Sequence, residues 1–172
     1  MKLKVKEITV FAMLGALIFA LKKVMEFAPN VHLVGVFIIA MTVVYRKKAL
    51  YPLYVYVFLD GLFGGFSTWW IPYLYIWTVL WGITMLLPKN MNPKVAPIIY
   101  MIVCALHGFL FGTLYAPAQA LFFNLDFNGT IAWIVAGLPY DLIHGVSNFV
   151  CGILIVPIIT ILEKVDKYAI KK

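Results

Sequence analysis

From Glu7 to Leu162 the chain is a succession of apolar runs, cut only by short polar breaks at Pro29-Asn30, Arg46-Lys47-Lys48, Gly64–Thr68, Pro88–Pro93 and Asn124–Gly129. A helix that crosses a bilayer needs about 20 mainly apolar residues. Most of these runs reach or approach that length, and they leave no room for a separate soluble unit. Hydrophobic residues make up 64% of the 172 and charged residues 12%. A water-soluble domain cannot hide that much apolar surface. The expected fold class is therefore an all-α integral membrane protein, a single transmembrane domain over residues 1–172. Its six helices cover about Glu7–Phe27, Val31–Tyr45, Leu50–Phe63, Trp69–Leu87, Val95–Leu121 and Thr130–Leu162. The fifth is predicted to break or kink near Pro117. The sixth is longer than one span and must tilt, kink or leave the membrane. The N-terminal segment resembles a signal peptide, but it lacks a small-residue cleavage site and reads as a retained helix.

Basic residues orient the chain. With six spans, one side carries Lys2, Lys4, Lys6, Arg46, Lys47, Lys48, Lys89, Lys94, Lys164, Lys167, Lys171 and Lys172, and the other only Lys22 and Lys23. Positive charge collects on the cytoplasmic side of membrane proteins, so both termini are expected there, in the plasma membrane. The net charge of +7 thus points to helix ends at a bilayer and not to nucleic acid.

Three features could carry chemistry. Ala12, Ala16 and Ala20 fall on one helical stripe beside Gly15, and small residues let a second helix approach closely. That helix could belong to this chain or to a partner. Trp70, Tyr73, Trp77 and Trp81 share a face by three- and four-residue steps. An interfacial aromatic belt explains Trp69 and Trp70, whereas Trp77 lies about 10 Å deeper at 1.5 Å per residue, so Tyr73 or Trp77 could stack on a ligand. Asp141, His144 and Asn148 share a face of the last helix. Ionisable residues within a span face an interior or a wet cavity. They could hold two helices together or floor a polar cavity. Tyr115 and Gln119, His107, Asp60, Asn30 and His32 are further polar candidates. Cys104 and Cys151 sit in apolar runs and read as buried hydrophobes. Neither a metal cluster nor a cofactor is indicated, and no P-loop or catalytic motif stands in the chain, which is read as a non-enzyme.

The basic N-terminus, the Ala12/Ala16/Ala20 stripe, six spans with cytoplasmic termini and the closing PYDLIHGVSNFVCGILIVPII (Pro139–Ile159) together resemble the substrate-binding (S) component of energy-coupling factor transporters. The resemblance covers essentially the whole chain. It implies a subunit that captures a vitamin from outside and docks on a transmembrane coupling subunit driven by two ATPase subunits. The missing ATP motif fits a subunit that borrows its energy. The resemblance also implies docking through Ala12, Ala16 and Ala20. It places the ligand against Trp69, Trp70, Tyr73, Trp77, Tyr115, Gln119, Asp141, His144 and Asn148. The string GGFSTWWIPYLYIW (Gly64–Trp77) is similar to the cobalamin branch. Pyridoxine, a queuosine precursor, folate and pantothenate are the alternative cargoes. An assembly protein without a cavity, or a membrane enzyme using Asp141 and His144 as an acid/base pair, are the competing readings.

Overall fold

The computed structural model describes residues 3–170; Lys2, Lys171 and Lys172 of the basic set lie outside them. The described chain is helical, in the order α1 (Val5–Val24), α2 (Val34–Tyr45), α3 (Leu50–Gly64), α4 (Tyr73–Leu86), α5 (Ala96–Phe109), α6 (Phe111–Phe123), α7 (Phe127–Cys151) and α8 (Ile155–Val165). Every apolar run read from the sequence forms helix. Two stretches, Ala96–Phe123 and Phe127–Ile170, are long and apolar enough to cross a membrane.

α2 is the hub. Its sequence, VGVFIIAMTVVY, has no polar face, and a helix apolar on all sides lies in a protein core or in a membrane. Val34 through Thr42 are all buried, with α1, α4, α5, α7 and α8 packed around them. The outer helices show the opposite pattern. On α7, Leu142, Ile143, Val146, Phe149 and Val150 point away from the bundle and stand exposed. Contiguous apolar surface on that scale needs a nonaqueous neighbour.

Glycines set the closest crossings. A Cβ on Gly15 would lie 2.6 Å from the Val55 Cβ and 2.7 Å from the Pro52 carbonyl oxygen, so α1 and α3 meet backbone to backbone there. A Cβ on Gly108 would lie 2.9 Å from the Gly145 Cα, which brings α5 equally close to α7. Overpacking a filled contact costs about 1–3 kcal/mol. Gly15→Leu should therefore lower the detergent unfolding temperature clearly, while Ala16→Leu, one residue on and exposed, should leave it nearly unchanged.

Several boundaries differ from the sequence expectation, α7 for one beginning at Phe127 and not at Thr130. α4 begins at Tyr73, so Trp69 and Trp70 belong to the preceding turn. The fifth run breaks at Leu110, not at Pro117, which lies inside α6. The cause is a cap from another helix. Gly112 N–H, in the first turn of α6, has no partner within its own helix. It donates to both Asp141 carboxylate oxygens on α7, at 2.9 and 3.1 Å. A negative group at a helix N-terminus is favourable, and a side chain on Gly112 would meet Asp141 at 2.5 Å. The sixth run is interrupted by the tight turn Gly152–Leu154, where a Cβ on Gly152 would crowd Met101 at 2.9 Å.

Candidate functional site

The connection from Met25 to Leu33 folds over the end of the bundle and is pinned there, its Asn30 carbonyl accepting from Ser147 Oγ at 2.8 Å. Beneath it lies a cavity of about 210 Å³ lined by Lys22, Glu26, His32, Tyr73, Phe111 and His144, with the backbone of the connection as its cover. α1 supplies Lys22, α4 Tyr73, α6 Phe111 and α7 His144. The break at Leu110 that opens α6 is what sets Phe111 against both Tyr73 and His144, at ring-centroid distances of 6.2 and 4.8 Å.

The rings continue inward from the cavity. His32 packs edge-on to His144 at 4.8 Å and to Trp77 at 5.9 Å. Trp77 in turn contacts His107 at 5.4 Å and Tyr56 at 6.2 Å. Several polar atoms of this cluster are buried without a protein partner: His32 Nδ1, His144 Nε2, His107 Nδ1, Trp77 Nε1, Tyr56 Oη and Asn148 Oδ1. Nearly all buried polar groups in folded proteins are hydrogen-bonded, so such a concentration singles this cluster out as the candidate site. His107 Nε2 faces the Ile76 carbonyl at 3.1 Å and Asn148 Nδ2 donates to the Cys104 carbonyl at 3.2 Å, which leaves only their second atoms free.

A buried charge pair borders the cavity. Lys22 Nζ lies 2.5 Å from Asp60 Oδ2, and Asp60 is 1% exposed. The same ammonium sits 5.1 Å from the Tyr73 ring centroid, within cation–π range. No group of three His, Cys, Asp or Glu among the described residues is arranged to hold a metal ion.

The structure divides the sequence candidates. Tyr73 and His144 line the cavity and Trp77 packs against Tyr73 behind it, whereas Asn148, one turn beyond His144, is engaged with the Cys104 carbonyl. The others hold the frame. Trp70 Nε1 donates to the Val57 carbonyl at 2.7 Å, fastening the Gly65–Pro72 turn to α3. Tyr115 Oη donates to the Trp69 carbonyl at 2.6 Å and stacks on Trp133. Trp69 packs edge-on to Tyr73 at 5.6 Å. Gln119 lies one turn beyond Tyr115 and does not line the cavity. Asp141 caps α6 and is not part of the cavity wall. Losing one partner of a buried hydrogen bond costs about 1–3 kcal/mol. Asp141→Ala should therefore cost that order of stability in chemical denaturation, whereas Asp141→Asn, which keeps one acceptor, should cost less. Phe111 and Lys22 were not legible as site residues. Phe111 sits in an unbroken apolar run, and Lys22 reads as a flanking charge.

Ala12, Ala16 and Ala20 are all exposed on the side of α1 opposite Phe11, Gly15 and Ile18. The stripe therefore takes no part in packing within the chain. A larger groove, about 780 Å³ between Lys47, Tyr54, Phe58 and Trp81, is almost wholly apolar and opens on the outer surface of α3 and α4. Compared with known proteins, the chain matches no family model, no curated protein and no solved structure.

Proposed function

We propose that this chain is the solute-capturing subunit of a membrane importer, a six-span protein with both termini cytoplasmic. In this reading it takes up a small organic molecule from the outer side and passes it to a coupling partner. The observation that carries the reading is the cluster of unpartnered buried polar atoms around Trp77, opening into the cavity under the Met25–Leu33 connection. An ionisable or polar group inside an apolar bundle is costly and marks a functional path. A protein whose only task was to pack against another would gain nothing from leaving these atoms without partners.

The lengths of the helices fit the same reading. α2 has 12 residues, which at 1.5 Å per residue is about 18 Å, well under the hydrocarbon thickness of about 30 Å. A helix that short can end within the membrane only where protein or a wet recess receives its terminus. Lys22, Asp60, His32 and Asn30 gather at that end, as an outward-facing recess requires.

The resemblance to the S components of energy-coupling factor transporters supplies the mechanism. A coupling subunit would dock on the exposed Ala12/Ala16/Ala20 face of α1, and two partner ATPases would supply the energy. Drug-sized ligands fill pockets of roughly 300–1,000 Å³, so a cavity of about 210 Å³ favours a compact cargo of pyridoxine size and disfavours cobalamin or folate. The test is equilibrium binding by the detergent-purified protein across a vitamin panel. Saturable one-to-one binding of one compound supports the reading. A folded protein that binds none of them contradicts it and favours an assembly role.

A further inference from the structure

We propose that the groove on the outer surface of α3 and α4 holds one anionic phospholipid, with its acyl chains along α3 and its phosphate in the basic turn that follows α2. Only a bilayer around the bundle and a cytoplasmic N-terminus are required for this, so it goes beyond solute capture and is independent of it.

Tyr51, Tyr54, Val55, Phe58 and Leu59 line the groove. Their three- and four-residue spacing puts them on one face of α3, and Tyr54 and Phe58 are exposed. Trp81 of α4 forms the other wall. From Leu50 to Leu59 the groove runs about 13 Å at 1.5 Å per residue. One leaflet's share of the hydrocarbon core is about 15 Å. The groove thus has the length of one acyl layer, not of a whole membrane.

Its polar end sets it apart from an ordinary lipid-facing surface. Lys47 belongs both to the groove and to an adjoining recess of about 360 Å³, whose wall includes Arg46, Lys48 and Lys89. Lys48 pairs with Glu7 at the start of α1, which sets the recess beside the N-terminal end of the bundle. Arg46, Lys47 and Lys89 have no acidic partner among the described residues, and no acidic side chain among them lines the groove or the recess. Groove wall and basic turn form one framework. Trp81 Nε1 donates to the Arg46 carbonyl at 3.2 Å, and Arg46 Nη2 donates to the Met85 carbonyl at 2.7 Å.

Three uncompensated cations at the mouth of an apolar slot fit a ligand with one phosphate and hydrocarbon tails. Arginine offers a fork of donors to phosphate oxygens, and lysine a point charge. Basic pockets between helices on the cytoplasmic side are suited to anionic headgroups. A zwitterionic headgroup brings a cation for which the recess has no acidic group. A second copy of this chain, meeting the groove through the same patch, would bring its own three cations against these.

Native mass spectrometry of the full-length protein in detergent tests the site, with dioleoyl-phosphatidylglycerol and dioleoyl-phosphatidylcholine at equal concentration. One phosphatidylglycerol should be retained per chain, about tenfold or more tighter than phosphatidylcholine. Lys47→Gln combined with Lys89→Gln should remove most of that preference. Lys164→Gln combined with Lys167→Gln, which takes the same charge from exposed positions on α8 and just beyond it, should leave it unchanged. Equal retention of the two lipids by the unmodified protein overturns the site. An equal loss in both double variants also overturns it, because the attraction is then diffuse. Displacement of the lipid by inorganic phosphate at comparable concentration would make the occupant a free anion, and a dimer in place of the lipid adduct would make it a second copy; either result overturns the lipid assignment. The comparison of the two lipids needs no variant, so it holds even if a double variant fails to fold. None of these outcomes bears on solute capture, which the vitamin panel tests by itself.

Discussion

Replacing His144 by phenylalanine should leave the bundle folded and weaken solute binding by about ten- to a hundredfold. The substitution keeps a flat ring of similar size where His144 packs against Phe111 and His32, each 4.8 Å away. It removes Nε2, which has no protein partner, so no internal hydrogen bond through that atom is lost and the fold has little reason to weaken. A hydrogen bond contributes about 0.5–1.5 kcal/mol net, and more when its loss leaves the ligand's polar group buried and unpaired. At 1.4 kcal/mol per tenfold, that supports the stated range. The measurement is calorimetric affinity beside the unfolding temperature of the same preparation. Equal affinity in the two proteins would remove His144 from the site.

A second substitution should separate capture from transport. Ala16→Trp places a large ring on the exposed face of α1, away from Gly15 and the contact with α3. Binding by the purified subunit should be unchanged, because Ala16 is not part of the cavity wall. Uptake by cells that also make the coupling module should fall to background, because a close helix-to-helix approach through small residues cannot accommodate an indole. Loss of binding and uptake together would mean that the substitution had damaged the fold. Normal uptake would mean that the stripe is not the docking face.

The α1 stripe shows how far spacing alone reaches. Four-residue steps put Ala12, Ala16 and Ala20 on one line, but only the position of Gly15, pressed against Val55 and Pro52, reveals that the line faces outward. The enclosure of α2 was not legible, because a helix without polar periodicity can lie in the core or face lipid. The shared face of Asp141, His144 and Asn148 was also legible, yet their division of labour was not. Asp141 serves the N-terminus of α6, and that terminus exists because the helix breaks at Leu110. Gly108 and Gly112 flank the break, but a glycine inside a helical pattern is a weak signal, whereas Pro117, the stronger one, is accommodated within the helix. Lys22 and Asp60 are 38 positions apart, and no local pattern connects them. Only the meeting of α1 and α3 makes a flanking lysine part of a cavity wall.

The central claim is that a solute from the outer side occupies the recess under the Met25–Leu33 connection. Ala28 lies in its cover and is half-buried; of the native cysteines, Cys104 is buried and Cys151 half-buried. The most direct measurement is therefore labelling of Ala28→Cys by a membrane-impermeant maleimide in intact cells, against the unsubstituted protein as background. The outward-facing recess requires labelling from outside, slowed when the compound selected by the binding panel is present. Labelling only after the membrane is permeabilised would contradict the orientation, and an unchanged rate with the compound bound would contradict the site.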